Sequence, residues 1–483
     1  MSNANDPRAD EILREQSQLA SERSNFDSQW REIAERVRPE QNLFQSERSP
    51  GLKLNDKIFD STAQLALPKY SAACQSMIAP ATQKWHGLDI DDEALNDRTD
   101  TKRWCEALTN LLFRLRYTPR ANFQGQFGEV VMDQGAFGTG ILFTDELMPK
   151  WTLQGSSGGG FRYKSLPLSE CFMAEDAYGT INRLHRRFQL TGDQAVGLLK
   201  SLGANPDSLP ASIKRAAERH TTDKFWFVHA VKPNPDRKGT PLHWRGMAYW
   251  SCYVCEEGRS IVSEGGFRVF PFAVARAETA PREVYGRGPA MKVLQTIKGL
   301  NEMKKTVLRA AHMVTSPALL LADDGALGVN LRPNALNYGA LDGNGNALVK
   351  PLLTGGKVEI GMEMMNAERE AINDAFYVTL FRILVDEPQI TATEAMLRAQ
   401  EKGQLLAPPM GGMQTSLCGP TIEREIDILT AAGKLPPMPE KLQEYFDAGG
   451  EWKVRYQAPL NLAQRAGEGI GILNTIQGIA PIA

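Results

Sequence analysis

Four basic residues, Lys298, Lys304, Lys305 and Arg309, lie in a stretch whose apolar residues have helical spacing. Lys298 and Lys305 are seven apart and so share one helix face, with Lys304 and Arg309 adjacent. On one isolated helix such a face is simply solvated. Repeated around a ring, it forms stacked rings of positive charge that attract phosphates without reading bases, as a sliding contact with a nucleic acid requires. Further on, Val385-Asp386-Glu387-Pro388-Gln389-Ile390 cannot be smoothly helical, because Pro388 lacks a donor and restrains Glu387.

Other candidate motifs fail on order or spacing. Gly135-Ala-Phe-Gly138-Thr-Gly140 resembles a phosphate loop fragment, but a helix precedes it and a strand follows, the reverse of a phosphate cradle. It is expected to be a helix-to-strand turn. Asp342-Gly343-Asn344-Gly345-Asn346 imitates the start of a calcium loop, yet Ala347 and Leu353 occupy the positions that need Gly and Glu. Cys252-Tyr-Val-Cys255 has zinc-like spacing with no second half, inside an aromatic strand pattern. The six histidines (86, 185, 220, 229, 243 and 312) form no HxxH or HExxH pair, and no Gly-x-Ser-x-Gly elbow occurs. No motif supports catalysis, a metal or a cofactor.

The 483 residues are 42% hydrophobic and 23% charged, with a net charge of -2. That suits a globular chain of roughly three domains. There is no overall basic excess, so any nucleic-acid contact must be local. No apolar run reaches the ~18 residues that span a bilayer, and no membrane partner is expected. The first ten residues contain no secretory h-region. Six scattered cysteines fit a reducing compartment.

The spacing predicts an α+β chain. Helices are expected over 6–37, over Ala63–Ile78 capped by Asp60-Ser61-Thr62, over Asp100–Tyr117 and over Ala121–Gln134. Lys84–Ile90 alternates like a strand. From 140 to 280 the pattern is β-rich, with strands at Ile141–Thr144, Phe161–Lys164, Phe225–Val231 and Phe267–Phe272. Gly155–Gly160 is expected to be a flexible hairpin loop, and Thr191–Leu202 and Ser212–Glu218 inserted helices. Next comes a rod, Pro289–Val314, of roughly 39 Å at 1.5 Å per residue. Its stripe is Val293, Ile297, Leu300, Val307, Ala311 and Val314. A Gly/Asn-rich insert separates it from a second rod, Met362–Leu384, burying Met365, Ile372, Phe376, Leu380 and Ile383. The first rod carries five positive charges against one negative, the second four negative against two positive. Opposite signs suit packing within one subunit or between neighbours. Thr391-x-x-Glu394 opens a further helix, interrupted at Pro408–Gly412 and resumed over Ile422–Ala432. A strand at Trp452–Leu460 and a helix from about Leu462 end the chain.

Taken together these strings resemble the portal, or head-to-tail connector, family of T7-like short-tailed bacteriophages. The resemblance covers nearly the whole chain. It rests on Asp60-Ser-Thr with its Ala-rich helix and Pro80…Trp85, on Asn122-Phe123 through Gly135–Gly140, and on Tyr285-Gly-Arg-Gly-Pro289-Ala290 with Leu300-Asn301. Thr391-Ala-Thr-Glu394, Leu406-Ala-Pro408 and Gly433-Lys-Leu-Pro436 complete it.

The resemblance implies a wing over 1–285, stem helices over 286–316 and 361–384, and a clip over 317–360. A tunnel loop follows at 385–390, then wing and channel helices over 391–440 and a C-terminal strand and helical crown start over 441–483. The portal fold would be an α/β wing, a two-helix stem, a small β-containing clip, a broken channel helix and a helical crown; with the sequence ending at Ala483, either the crown is short or the chain is truncated. The resemblance further implies a homo-oligomer of about twelve subunits at one capsid vertex, conducting double-stranded DNA without sequence preference. Its partners would be the terminase, a head–tail adaptor or tail proteins, and major capsid and scaffolding proteins. Asp386, Glu387, Pro388 and Gln389 would face the DNA, Lys298, Lys304, Lys305 and Arg309 would line the channel, and Asp342–Asn346 would dock partners. It would act in the virion, after assembly in the host cytoplasm. Two alternatives stand beside it: an enzyme whose site only folding assembles, which would show turnover, and another ring component such as a tail adaptor, which is usually a shorter chain.

Overall fold

The computed structural model describes residues 6–41, 44, 51, 53–54, 56–147, 150–152, 155–157, 160–238, 243–321, 330, 332, 336–338, 341, 344, 347–352, 358–382 and 410–457. The chain opens with helix α1 (Pro7–Ala34), followed by α2 (Thr62–Ile78), strand β1 (His86–Ile90), the short α3 (Glu93–Asn96), α4 (Thr99–Arg116) and α5 (Phe123–Phe137). Antiparallel strands follow. β2 (Thr139–Leu147) lies between β5 (Gly160–Leu166) and β11 (Phe272–Arg276) in a three-stranded sheet, with a small hairpin of β3 (Lys150–Thr152) and β4 (Gly155–Ser157) beyond it. β6 (Cys171–Glu175), β7 (Ile181–Thr191), β8 (Lys224–Pro233), β9 (Tyr249–Cys255) and β10 (Ser260–Phe267) form a five-stranded meander in sequence order. Helices α6 (Gly192–Ser201) and α7 (Ala211–Glu218) interrupt it between β7 and β8.

Strand alternation divides the meander into two faces. Phe188, Phe227 and Cys255 pack under α6 and α7, while Val228, Ala230 and Cys252 pack against Ala9 and Ile12 of α1. Cys252 and Cys255 therefore belong to different clusters, so the CxxC is two structural cysteines. All six cysteines are buried and free.

A long helical hairpin follows. The turn α8 (Pro289–Lys292) leads into α9 (Leu294–Thr315). A two-stranded ribbon, β12 (Leu319–Leu321) with β13 (Val349–Pro351), sits at the hairpin tip. α10 (Val358–Ala375) returns and ends in α11 (Val378–Arg382). Residues 410–413 are helical, a π-turn spans Gln414–Cys418, and α12 (Gly419–Ala431) continues. α13 (Glu440–Asp447) and β14 (Trp452–Tyr456) complete the described chain, β14 pairing antiparallel with β1. One continuous core joins α2, α4, α5, the three-stranded sheet, the hairpin root and α12.

Several expectations need correction. Phe267–Phe272 is not one strand but the passage between two sheets: β10 ends at Phe267 and β11 begins at Phe272. Pro271, between them, has no donor for a ladder. Gly155–Ser157 is a strand rather than part of a loop. The first rod is not continuous from Pro289. It breaks at Val293 (φ -105°, ψ 18°), where the turn held in the core by Ala290 and Met291 hands over to a helix that leaves the body. Its stripe is buried only at the root, at Ile297 and Leu300, where Leu294 rather than Val293 joins the core, whereas Val314 is 58% exposed because the hairpin outruns the body it is rooted in.

The second rod starts at Val358, earlier than expected, and stops at Ala375, where Tyr377 adopts a left-handed φ of 57°. Ile383 lies outside the described residues. The interruption expected at Pro408–Gly412 is already over at Met410, and Gly411 and Gly412 are helical. The irregularity falls instead on the π-turn before Pro420, a residue that cannot donate into an unbroken α-helix. Thr391–Glu394 and the helix from Leu462 lie outside the described residues.

Candidate functional site

The hairpin root is built from motifs that are far apart in sequence. Gly138 caps α5 with a left-handed φ of 80°. It lies against the segment entering the hairpin: a Cβ on Gly138 would sit 2.1 Å from the Gly286 carbonyl oxygen and 2.6 Å from the Gly288 nitrogen. Gly286 N–H donates to Thr139 Oγ1 at 2.9 Å, and Ala277 N–H donates to the Gly138 carbonyl at 2.9 Å. The backbones meet at glycines because no side chain fits between them. Tyr285 is buried edge-on against Trp30 at 5.1 Å, and its hydroxyl accepts from Met173 N–H at 3.2 Å. Trp30 Nε1 donates to the Phe137 carbonyl at 2.9 Å, so α1, α5 and the hairpin entrance form one unit.

A second anchor lies about two turns up α9. Asn301 Oδ1 accepts from Phe59 N–H at 2.8 Å and Asp60 N–H at 3.1 Å, while its Nδ2 donates to the Ile297 carbonyl. Asp60 Oδ1 accepts from Thr62 N–H at 3.0 Å and Thr62 Oγ1 at 2.5 Å. Asp60 Oδ2 accepts from Arg369 Nη2 at 2.8 Å and Nε at 3.1 Å. Asp60, rather than the N-cap Ser61, thus supplies the capping bond of α2; its carboxylate holds α10 through Arg369, and its backbone N–H holds α9 through Asn301. Burial opposes its ionisation, but the bonds from Thr62 and Arg369 outweigh that and hold the carboxyl below its ordinary range. At the foot of α10, Phe376 packs edge-on against Tyr70 of α2.

The helix beyond the hairpin is locked by a buried ion pair. Arg116 of α4 donates to Glu425 of α12 at 2.9 and 2.5 Å, and both side chains are wholly buried. Tyr163 Oη donates to Glu425 Oε1 at 2.5 Å, and His86 Nε2 lies 2.9 Å from Arg116 Nη1. Arginine can only donate, so His86 accepts. Burial, then the Arg116 charge, pushes the His86 pKa well down and keeps the ring neutral. Arg116 also lies over the rings of Trp85 and Phe113. Such a pair specifies register more than it adds stability.

The basic residues singled out from sequence are placed unequally. Lys298 is engaged by Glu32 of α1 at 2.6 Å. Lys305 pairs with Glu302 at 3.5 Å and lies 5.7 Å from the Phe59 ring. Lys304 is half-buried and Arg309 exposed. No ion pair joins α9 to α10 among the described residues. Asn344 occupies a turn between the bridged residues Leu341 and Ala347. Asp342, Gly343, Gly345 and Asn346, and likewise Asp386, Glu387, Pro388 and Gln389, lie outside the described residues. Among the described residues no group of side chains could hold a metal ion, and no helix is long and apolar enough to cross a membrane.

Arg369 and Glu425 were missed by sequence reasoning, although both left a trace. Arg369 is a cation between Glu368 and Glu370. Glu425 interrupts the apolar stripe of Ile422, Ile426 and Leu429, where a charge needs a buried partner.

The chain is 27% identical over 489 residues to the probable portal protein of Bordetella phage BPP-1, covering 97% of this chain and 83% of that one. It is 24% identical over 477 residues to the portal protein of Salmonella phage epsilon15, covering 97% and 81%. A chain in the virion of a native gene transfer agent particle aligns over 86% of this chain and 85% of its own, with 12% identity and a TM-score of 0.37. The family model for the bacteriophage head to tail connecting protein matches residues 9–483. The chain therefore belongs to the family of bacteriophage head-to-tail connecting proteins.

Proposed function

We propose that this protein is the portal of a tailed phage. About twelve copies form a closed ring at one capsid vertex and conduct double-stranded DNA inward during packaging and outward during ejection. The observation that carries the proposal is the rooted hairpin. α9 has 22 residues and α10 has 18, lengths of roughly 33 and 27 Å. Both are clamped to the body at their base by Asp60 and leave it with few buried residues toward the tip.

In this reading residues 1–285 are the wing, the hairpin is the stem crossing the shell, and 317–360 form the clip. The clip presents Leu336, Tyr338 and Leu341, each more than 60% exposed, to a packaging terminase and later to an adaptor or tail protein. Capsid and scaffolding proteins meet the wing. The segment 385–390 between α11 and the 410–431 helix is the tunnel loop. Asp386 and Glu387 there repel phosphates, which favours passage over sticking. The force for packaging comes from the terminase. Changing both acids to Lys should slow or stall packaging in a reconstituted system, and unchanged packaging would remove this role for the loop.

The test of the main proposal is negative-stain microscopy with mass by light scattering. Rings with a central hole are expected, with a mass near that of twelve 53.4 kDa chains, about 640 kDa. Rings of eleven or thirteen keep the function. A compact monomer or dimer at every concentration overturns it.

A further inference from the structure

The protruding hairpin has two differently charged backs. On α10, Glu363, Glu370 and Asp374 each stand two positions before a buried residue: Met365, Ile372 and Phe376. Two residues turn about 200° around a helix, so these carboxylates face away from whatever buries the helix. Glu359, four before Glu363, joins the same stripe. All four are exposed.

The same offset recurs on α9 with opposite charge. A Cβ on Gly361 would lie 2.7 Å from Val307 Cγ2, so Val307 marks the side of α9 that meets α10. Lys298, Lys305 and His312 stand two positions before Leu300, Val307 and Val314, and Arg309 stands two after Val307. The basic stripe therefore faces away from α10. Among the described residues Glu359, Glu363, Glu370, Asp374 and Arg309 have no ion-pair partner, and the two stripes cannot reach each other across the hairpin. Apolar side chains flank both: Met313, four beyond Arg309, is 57% exposed, and Ile360, three before Glu363, is 53% exposed. A large apolar side chain left in water beside an unpaired charge suits an interface that other protein covers.

We propose that this surface is the contact between successive copies of the chain, the basic back of α9 in one copy docking on the acidic back of α10 in the next. A second copy fits better than any other partner because each copy carries both halves of the match. Two-fold pairing of either back with itself would oppose like charges, so the contact runs head to tail, the kind of contact from which a closed ring is built.

The heights agree as well. Val307 and Gly361 lie level, and α9 rises while α10 descends. Arg309 and Glu359 are both two residues above that level, and Lys305 and Glu363 two below. Copies rotated about an axis along the hairpin keep these heights. Lys305 then meets Glu363, and Arg309 meets Glu359, of the neighbouring copy. Duplex DNA is the competing occupant of the basic stripe, but it offers no use for the acidic one.

The inference rests on the portal reading, and charge reversal in the full-length chain separates the two. One variant carries Lys305→Glu with Arg309→Glu, the other Glu359→Lys with Glu363→Lys. Circular dichroism and a thermal melt confirm that each folds. By sedimentation velocity each variant alone is expected to lose at least tenfold in ring population at low salt. Mixing the two should regenerate rings of alternating subunits, and so should combining all four changes in one chain, because opposite charges then face each other again. Rings that survive both reversals overturn the inference while leaving the portal function intact. Loss without rescue by mixing or by the combined variant also overturns it. If the α9 reversal leaves rings intact but abolishes DNA retention, the basic stripe faces the duplex and the inference fails. Only absence of rings in the unaltered protein removes the portal reading itself.

Discussion

Replacing Asp60 by Ala should loosen the hairpin from the body without unfolding the body. The carboxylate accepts two bonds from the Arg369 guanidinium and two from Thr62, and its side chain is 6% exposed. Hydrogen bonds to charged groups contribute roughly 1.5–3 kcal/mol, and Arg369, at 30% side-chain exposure, regains some water when it loses its partner. A net cost of about 2 kcal/mol for opening α10 from α2 follows, equivalent to about 30-fold in the opening equilibrium. Hydrogen exchange read by mass spectrometry on the assembled protein measures this directly. Amides over 358–375 should exchange about 30-fold faster, while α9, held at Asn301 by backbone N–H groups that the substitution leaves in place, and β7 and β8 keep their protection. Thr62→Val, which removes only the hydroxyl bond, should have a much smaller effect. Uniform acceleration across the meander, or none in α10, would refute the view of Asp60 as a local clamp. Acid should reproduce the effect. The folded carboxyl titrates below its ordinary value of 3.8, so its contribution is complete above that pH and is lost as pH falls through the folded value.

Gly138→Ala should abolish soluble expression, since its Cβ would lie 2.1 Å from a backbone oxygen, whereas Gly433→Ala, also at positive φ but with open space around it, should cost only about 1 kcal/mol in a urea melt. Glu425→Gln should destabilise by about 3–5 kcal/mol by leaving Arg116 buried and unpaired, and replacing both residues by apolar ones of similar volume should recover much of that loss. His229 is buried against Tyr253 with its pKa pulled down to about 3, by burial and then by the Arg186 and His185 charges. The unfolded chain takes up a proton near pH 6.5 that the folded one refuses, so stability falls as pH drops below 6.5. His229→Gln should remove about 2 kcal/mol of the decline between pH 6.5 and pH 5 in paired denaturation curves.

The sequence by itself determined the elements whose signals are local. Helical spacing through most of 289–314, the β-rich run Phe225–Val231, the helix from Thr191 and the turn at Gly135–Gly140 all reappear, because backbone sterics and apolar periodicity act within a few residues. The order of its motifs was also enough to identify the family. Breaks were less legible: Val293, Tyr377 and the π-turn at Gln414–Cys418 depend on where a helix must leave or rejoin the core, and no residue type announces that.

Only the tertiary structure decided which motifs belong together. It set the Gly138 turn against Gly286 and Gly288, joined β1 to β14 across most of the chain, and made Asp60 the shared partner of Arg369 and, through Asn301, of α9. It also assigned Lys298 to Glu32 and turned the opposite charges of the two rods away from each other. Local propensity chooses helix or strand, but which face a charge occupies relative to a distant chain segment depends on packing between residues hundreds of positions apart.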